Sequence, residues 1–566
     1  MPETHADGTF EPFARLRRRP RQAPRTDPAA PAMSVAHRIP VLLATLPFAL
    51  SLLPVAGVGA QTPSDVPRLY TAGLGDLSRR VDTDDAMAQA WFDQGIQLMY
   101  AFAVEEGLRS FQEASGADPG CAMCAWGEAW AWGPYLNGPM QPEDEPAAHE
   151  AAQRAVERAR DGGVSPVEQA LIDAMAVRYA PQPDEDGRAA RDSAYARAMG
   201  EVYAAHPRDL EAGTLYGEAL MLLEPRRGTW PLDKPSVQRI HRVLEETLAR
   251  DLSHPGACHL YVHATESTPA AGKAEPCAEL LGTSIPGASH INHMPSHTYN
   301  RIGRWGDAVR ANQMAWHSDQ KAAVGEGFAI YPSHNLHMLL FAASMDGQGA
   351  VAIQAGKDYG KLMDGGQFYH ALALLRFGRF DEVLAVTEAP ENEVFLGLWG
   401  FARGYAHLRS GAPDSARVYL EDGRRLVRER GEEIQFRGHT GTQLLGVVNG
   451  ILEAEILRSE GRTDDALDAL EAAVALEDDL RYDEPEPLNF SARHWLGALL
   501  LEADRPAEAE AVYRAALADH PRNGWSLFGL AEALDAQGRP GDALMVRREL
   551  EESWARADVW IQASRF

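Results

Sequence analysis

The residues best able to do chemistry in this chain are histidines, and they are clustered. Nine of the 19 fall between His254 and His337, far more than an even spread would place there. They form three strings: His259-x3-His263 followed by Glu266, then His290-x2-His293-x3-His297, then His334-x2-His337. Spacings of three, four and seven put each string on one face of a helix. Imidazole and carboxylate groups converging from separate elements suit Zn, Cu, Fe or Mn, and an i, i+4 pair is the spacing that helical two-histidine sites use. The order His-Glu-x-x-His is absent, so the general base of a zinc protease is not supplied. Two other readings of the stripe stay open: a polar groove for a peptide or other ligand, and histidines that serve the fold.

Competing chemistries are thinly represented. Cys121-Ala-Met-Cys124 is followed by Ala125, where c-type haem attachment needs His, so no haem is expected. No phosphate-binding glycine loop, dinucleotide fingerprint or Ser-His-Asp order is present, so no nucleotide cofactor is expected either. The formal charge of −27 argues against nucleic acid, which needs clustered Lys and Arg to release counterions. The four cysteines, Cys121, Cys124, Cys258 and Cys277, permit two local disulfides in an oxidising compartment. For the first pair, a reduced and buried helical pair is an equal alternative.

The elements that must position these residues are set by a repeat. Counting Trp91 as position 4 of a 34-residue unit places Gly95 at 8, Gly107 at 20, Phe111 at 24, Ala114 at 27 and Pro119 at 32. Near the C-terminus the same count places Gly497, Ala509, Tyr513, Ala516 and Pro521 at those five positions. Small residues at 8, 20 and 27 let two helices approach while bulky ones fill the space between. The chain therefore reads as all-α, a right-handed superhelical solenoid of tetratricopeptide helix-turn-helix repeats. Two Pro-rich interruptions, residues 223–236 and Asp483–Asn489, break the spacing, and loops on a rigid scaffold often carry contacts.

On this register the histidines fall on the first helix of three successive units. His290, His293 and His297 sit at positions 2, 5 and 9, His259, His263 and Glu266 at 5, 9 and 12, and His334 and His337 at 2 and 5. Those positions form the stripe facing the concave groove in such repeats, and Glu218, at 9 of the preceding unit, should face it too. Pro295 belongs in a first turn, with Asn292 or His293 as N-cap, which leaves His290 on the preceding loop. Trp126 and Trp130, at 5 and 9 of the second repeat, together with Tyr299 and Asn300, are candidate partner-binding residues; the tryptophans read equally well as packing between helices.

The first 60 residues have a different composition. Residues 39–58 are apolar, follow Arg38, and lead into Val58-Gly59-Ala60, a spacing that signal peptidase accepts. The expected organisation is a leader over 1–60, with Met33 an alternative start, a histidine-lined solenoid over 61–390, and C-terminal repeats over 391–566. Pro40, Pro47 and Pro54 disfavour a retained anchor, so a periplasmic or secreted protein without stable membrane insertion is expected.

The strings His259-Leu-Tyr-Val-His263-Ala, His293-Met-Pro-Ser-His297-Thr-Tyr299, Pro332-Ser-His-Asn-Leu-His337, Cys121-Ala-Met-Cys-Ala-Trp-Gly127 and Tyr482-Asp-Glu-Pro485 together resemble a group of secreted bacterial tetratricopeptide-repeat proteins. The resemblance implies fold and export and carries no activity. The functional expectation is thus a scaffold that binds a protein or peptide in its groove, with a candidate metal ion there. The alternative is a metal-dependent hydrolase or oxidoreductase that uses the histidine and glutamate cluster.

Overall fold

Helix starts are written into the sequence and carried out locally. Asp85, Asp209 and Asn523 each accept a hydrogen bond from a backbone N–H of the first turn that follows, and Ser165 with Glu168 and Thr440 with Gln443 form reciprocal capping boxes. Each such cap stabilises its helix by about 1 kcal/mol. A computed structural model describes residues 68–182, 185–226 and 228–566. The expected leader, with its cleavage point and the alternative start at Met33, lies outside the described residues.

Helices run from Ala86–Tyr100 to Pro540–Ser553, and the strands among the described residues are two short ones, Gln435–Phe436 and His439–Thr440, paired antiparallel. Nearly every helix packs on its neighbour in sequence, and often on the next but one, for example Ala86–Tyr100 on Ala122–Trp132 and Glu393–Arg409 on Gly441–Ser459. This is the contact pattern of an all-α solenoid, as the repeat demanded. The small residues do the expected work. Phe111 is fully buried against Gly95 and Gly127, where an added Cβ would stand 2.6 and 2.3 Å from its ring. Tyr513 is held in the same way by Gly497 and Gly529, at 2.4 and 2.1 Å. Burying one such ring contributes about 1.5–3 kcal/mol, and any larger residue at the glycines would forfeit it.

Two disulfides tie the chain locally. Cys121 is bonded to Cys124 at a helix start, and Cys258 to Cys277, which joins the helix Pro255–Glu266 to Glu275–Leu281. No helix of the described residues is long and apolar enough to cross a membrane.

Candidate functional site: a buried cluster of imidazoles and carboxylates

Three stretches of helix deliver the cluster. Pro255–Glu266 carries His259, His263 and Glu266, and the short helix Ser289–His293 with its continuation Pro295–Ile302 carries His290, His293 and His297. Pro332–Met345 carries His334. Pro295 sits in the first turn of its helix, as expected, but the cap is Met294, and the residues before it form a helical turn instead of a loop. That turn points His290 inward, with its ring centroid 4.9 Å from that of His259 and 5.4 Å from that of His293.

The ligand atoms form three overlapping groups, each within 4.8 Å: His259, His263 and His290; His293, His297 and His334; and His263, Glu266, His297 and Glu484. His259 Nε2 lies 3.1 Å from His290 Nε2, and His297 Nε2 lies 2.8 Å from His293 Nε2. His263 Nδ1 is 2.7 Å from Glu266 Oε1, while His297 Nδ1 touches Glu266 Oε2 and stands 3.0 Å from Glu484 Oε2. His263 Nε2 and His290 Nδ1 are without a hydrogen-bond partner among the described residues. A buried polar atom left in that state costs about 1–3 kcal/mol.

Burial dominates the electrostatics. It pushes the His259, His263, His290, His293 and His334 rings well below the ordinary histidine value, and neighbouring histidines add to the effect, so these rings are neutral near pH 7. Burial opposes charge on His297 as well, but Glu266 and Glu484 overcome it and raise this ring to about 9. Burial would raise Glu484, yet Arg226 beside it brings the carboxyl down to about 2. Neutral nitrogen lone pairs next to ionised carboxylates are the state in which such groups bind a transition metal.

The cluster is an interior, not an open groove. It is covered by the second Pro-rich interruption and the residue just before it: Tyr482 Oη donates to Glu266 Oε2 at 3.2 Å, and Glu484 Oε1 pairs with Arg226 Nη2 at 2.6 Å. Arg226 belongs to the first interruption, so the two irregular segments meet over the histidines. Arg437 Nη2 donates to Asp483 Oδ1 and to the Glu484 carbonyl, and Tyr369 Oη donates to the Pro487 carbonyl.

Other expected site residues are placed elsewhere. His337 stays out of the three groups, with Nε2 2.6 Å from Tyr369 Oη beneath the covering segment. Glu218 is buried near Arg178, also apart from the groups. Trp126 and Trp130 are 1% and 2% exposed within the hydrophobic core, so they are packing residues and face no partner. Tyr299 is buried beneath the Arg304 guanidinium, 4.4 Å from its ring. Asn300 lines a small space of about 20 Å³ with His297 and Glu484. Residues shared with that space, among them Arg301, Tyr482, Glu486 and His520, also line a cavity of about 200 Å³. Arg226 was not singled out from sequence, and Tyr482 and Glu484 stood out only within a family-like string, without a place in the site. The signal that could have found them was the pair of interruptions, read only as spacers or contact loops.

The comparisons with known proteins agree with the repeat. Residues 500–545 match the tetratricopeptide repeat family. No curated protein sequence matches the chain. Among solved structures it is similar to the APC/C hetero-tetramer Cut9-Hcn1, at 11% identity over 84% of this chain and 75% of that one, with a TM-score of 0.27. It is also similar to a human IFIT1 dimer with m7Gppp-AAAA, at 12% identity over 84% and 91%, with a TM-score of 0.29. Neither likeness carries an argument at those scores. The chain is an all-α helical-repeat solenoid with a tetratricopeptide repeat at residues 500–545, an architecture whose extended surfaces commonly serve as scaffolds for other proteins.

Proposed function

We propose that this chain is an exported helical-repeat scaffold built around a metal-binding centre, and that the buried histidine cluster holds an imidazole-preferring ion such as Zn or Cu. The observation that carries the reading is convergence: six imidazoles and two carboxylates, from elements more than 200 residues apart, bring their ligand atoms together in one enclosed space. Burying so many polar groups is costly unless each is satisfied, and facing ring nitrogens satisfy one another poorly. A set dominated by imidazole nitrogen selects Zn or Cu over Mg or Ca. Export is supported by the leader sequence, and the two disulfides suit an oxidising compartment. Partner proteins would dock on the outer surfaces of the repeats, because the inner stripe is covered by the chain's own 482–487 segment.

The test is elemental analysis of untagged protein, exposed to Zn²⁺ or Cu²⁺ and then freed of excess ion by gel filtration. At least one ion per chain should be retained. Retention of none removes the metal reading and leaves a plain scaffold. N-terminal sequencing of exported protein should begin at Gln61; recovery of intact residues 39–58 in a membrane pellet would instead indicate an anchor.

A second reading is catalytic, and the 200 Å³ cavity favours it. A three-nitrogen set leaves one position open on a tetrahedral ion, and that cavity lies beside the small space reaching His297. Hydrolytic or oxidative turnover of small substrates that appears only in metal-loaded protein would support it. Equal rates with and without metal would dismiss it.

A further inference from the structure

Resting on the reading of the cluster as a metal centre, we propose that it holds two ions. The first would sit on His259, His263 and His290, the second on His293, His297 and His334, with Glu266 orienting one ring of each set. The hydrogen bonds decide this by assigning tautomers. A neutral imidazole has one N–H and one lone pair, and whichever nitrogen gives its hydrogen to an acceptor leaves the other for a metal.

His259 Nδ1 donates to the Tyr100 carbonyl at 2.7 Å, a group that can only accept. His263 Nδ1 donates to Glu266 Oε1 at 2.7 Å, and His297 Nδ1 to the other oxygen of the same carboxylate. His293 Nδ1 donates to Asn312 Oδ1 at 3.0 Å, and that amide is oriented by its own Nδ2, which donates to the Ala308 carbonyl. All four Nδ1 atoms are therefore donors: His259, His263 and His293 keep their lone pairs on Nε2, and His297, whose value Glu266 and Glu484 raise to about 9, carries a second proton on Nε2 directed at His293. The Nε2 atoms point into two places: His293 and His297 face each other at 2.8 Å, and His259 faces His290 at 3.1 Å with His263 Nε2 unpartnered beside them.

A proton bridges each facing pair, and ion binding would move both: His297 would release its Nε2 proton to solvent, and His290 would shift its own from Nε2 to the unpartnered Nδ1, freeing both Nε2 lone pairs for metal. A tetrahedral ion with bonds of about 2.0–2.1 Å spaces its nitrogens about 3.3 Å apart, so each pair needs to open by only about a few tenths of an ångström. Glu266, accepting from a ring of each set, then plays the part of the carboxylate that fixes and strengthens a metal-binding histidine. A single ion on His263, Glu266, His297 and Glu484 would satisfy the carboxylates but leave both facing pairs unchanged.

The experiment is a Zn²⁺ titration of the untagged full chain, followed by elemental counting and by anomalous diffraction at the zinc edge. Wild type should retain two ions per chain. His259 belongs only to the first set and His334 only to the second, so His259→Ala and His334→Ala should each retain one. Glu266→Gln should keep two ions at saturation but bind them about 10–100-fold more weakly, the usual cost of losing such an orienting partner. One ion in wild type, unchanged in both single variants and lost in Glu266→Gln, would overturn the two-ion arrangement while keeping the metal centre. No ion in wild type would overturn both. If an alanine variant fails to fold, two separate anomalous peaks in wild type support the proposal, and one peak beside Glu266 refutes it.

Discussion

Arg226 Nη2 and Glu484 Oε1 lie 2.6 Å apart although 258 residues separate them, and the pair closes over the histidine cluster. Each comes from a segment that interrupts the repeat. Glu484 stands close to Glu266, so Arg226 compensates two carboxylates at once. Arg226→Ala should lower stability by about 1–3 kcal/mol, since Glu484 loses its guanidinium partner and keeps only the His297 ring beside it. The effect should shrink sharply in a Glu484→Gln background. Additive losses in that double-mutant cycle, read from urea midpoints, would show that the two side chains act independently.

The glycines around Tyr513 predict a contrast. Gly529→Ala would put a Cβ 2.1 Å from the ring and should destabilise by roughly 1–3 kcal/mol through overpacking. Gly541→Ala meets nothing within 4 Å, near the start of Pro540–Ser553, and should be neutral or slightly stabilising, by up to about 1 kcal/mol. Equal melting temperatures for the two variants would contradict the packing described.

Asp319 gives stability a pH dependence of known sign. Burial raises its carboxyl to about 7, although Asn335 Nδ2 donates to Oδ2 at 2.8 Å. Its folded value lies above an unfolded value of about 3.9, so the folded state holds the proton more tightly. The stabilisation is complete below about pH 4 and is lost as pH rises towards and past 7. Asp319→Asn should remove this slope and raise stability at pH 8 by on the order of 2–4 kcal/mol. Urea midpoints at pH 5 and pH 8 that stay parallel to wild type would rule it out.

The two disulfides should separate in function. Breaking Cys258–Cys277, which closes a loop of 19 residues onto the helix bearing His259 and His263, should cost about 3 kcal/mol and weaken metal retention. Replacing both Cys121 and Cys124 by Ala should leave the metal content unchanged, because that pair lies at the start of Ala122–Trp132, outside the cluster. Loss of metal from the second variant in a still helical protein would place the N-terminal repeat in the site.

His337 serves as an internal control. It shares the stripe in sequence but contacts Tyr369 instead of the cluster. His337→Gln should keep the full metal content while lowering the melting temperature. Loss of an ion in this variant would mean that the stripe, not the three spatial groups, defines the site.

Sequence by itself determined the helices and the face each histidine takes. Caps, small residues at fixed spacing and the i, i+4 rule are local, and local rules sufficed to place His259, His263, His293 and His297 on inward faces and to pair the cysteines as one of two options. Even His290, set on a loop by the position of Pro295, was misplaced only by a single helical turn. Tertiary structure decided everything that depends on elements meeting at long range. It buried Trp126 and Trp130 against neighbouring helices, drew His337 away to Tyr369, and left Glu218 beside Arg178. It also brought Glu484 onto His297 and Tyr482 onto Glu266. Periodicity reports which way a side chain points from its own helix. It carries no information about which distant loop arrives to cover it, because that depends on the small rotation from repeat to repeat, summed along the solenoid.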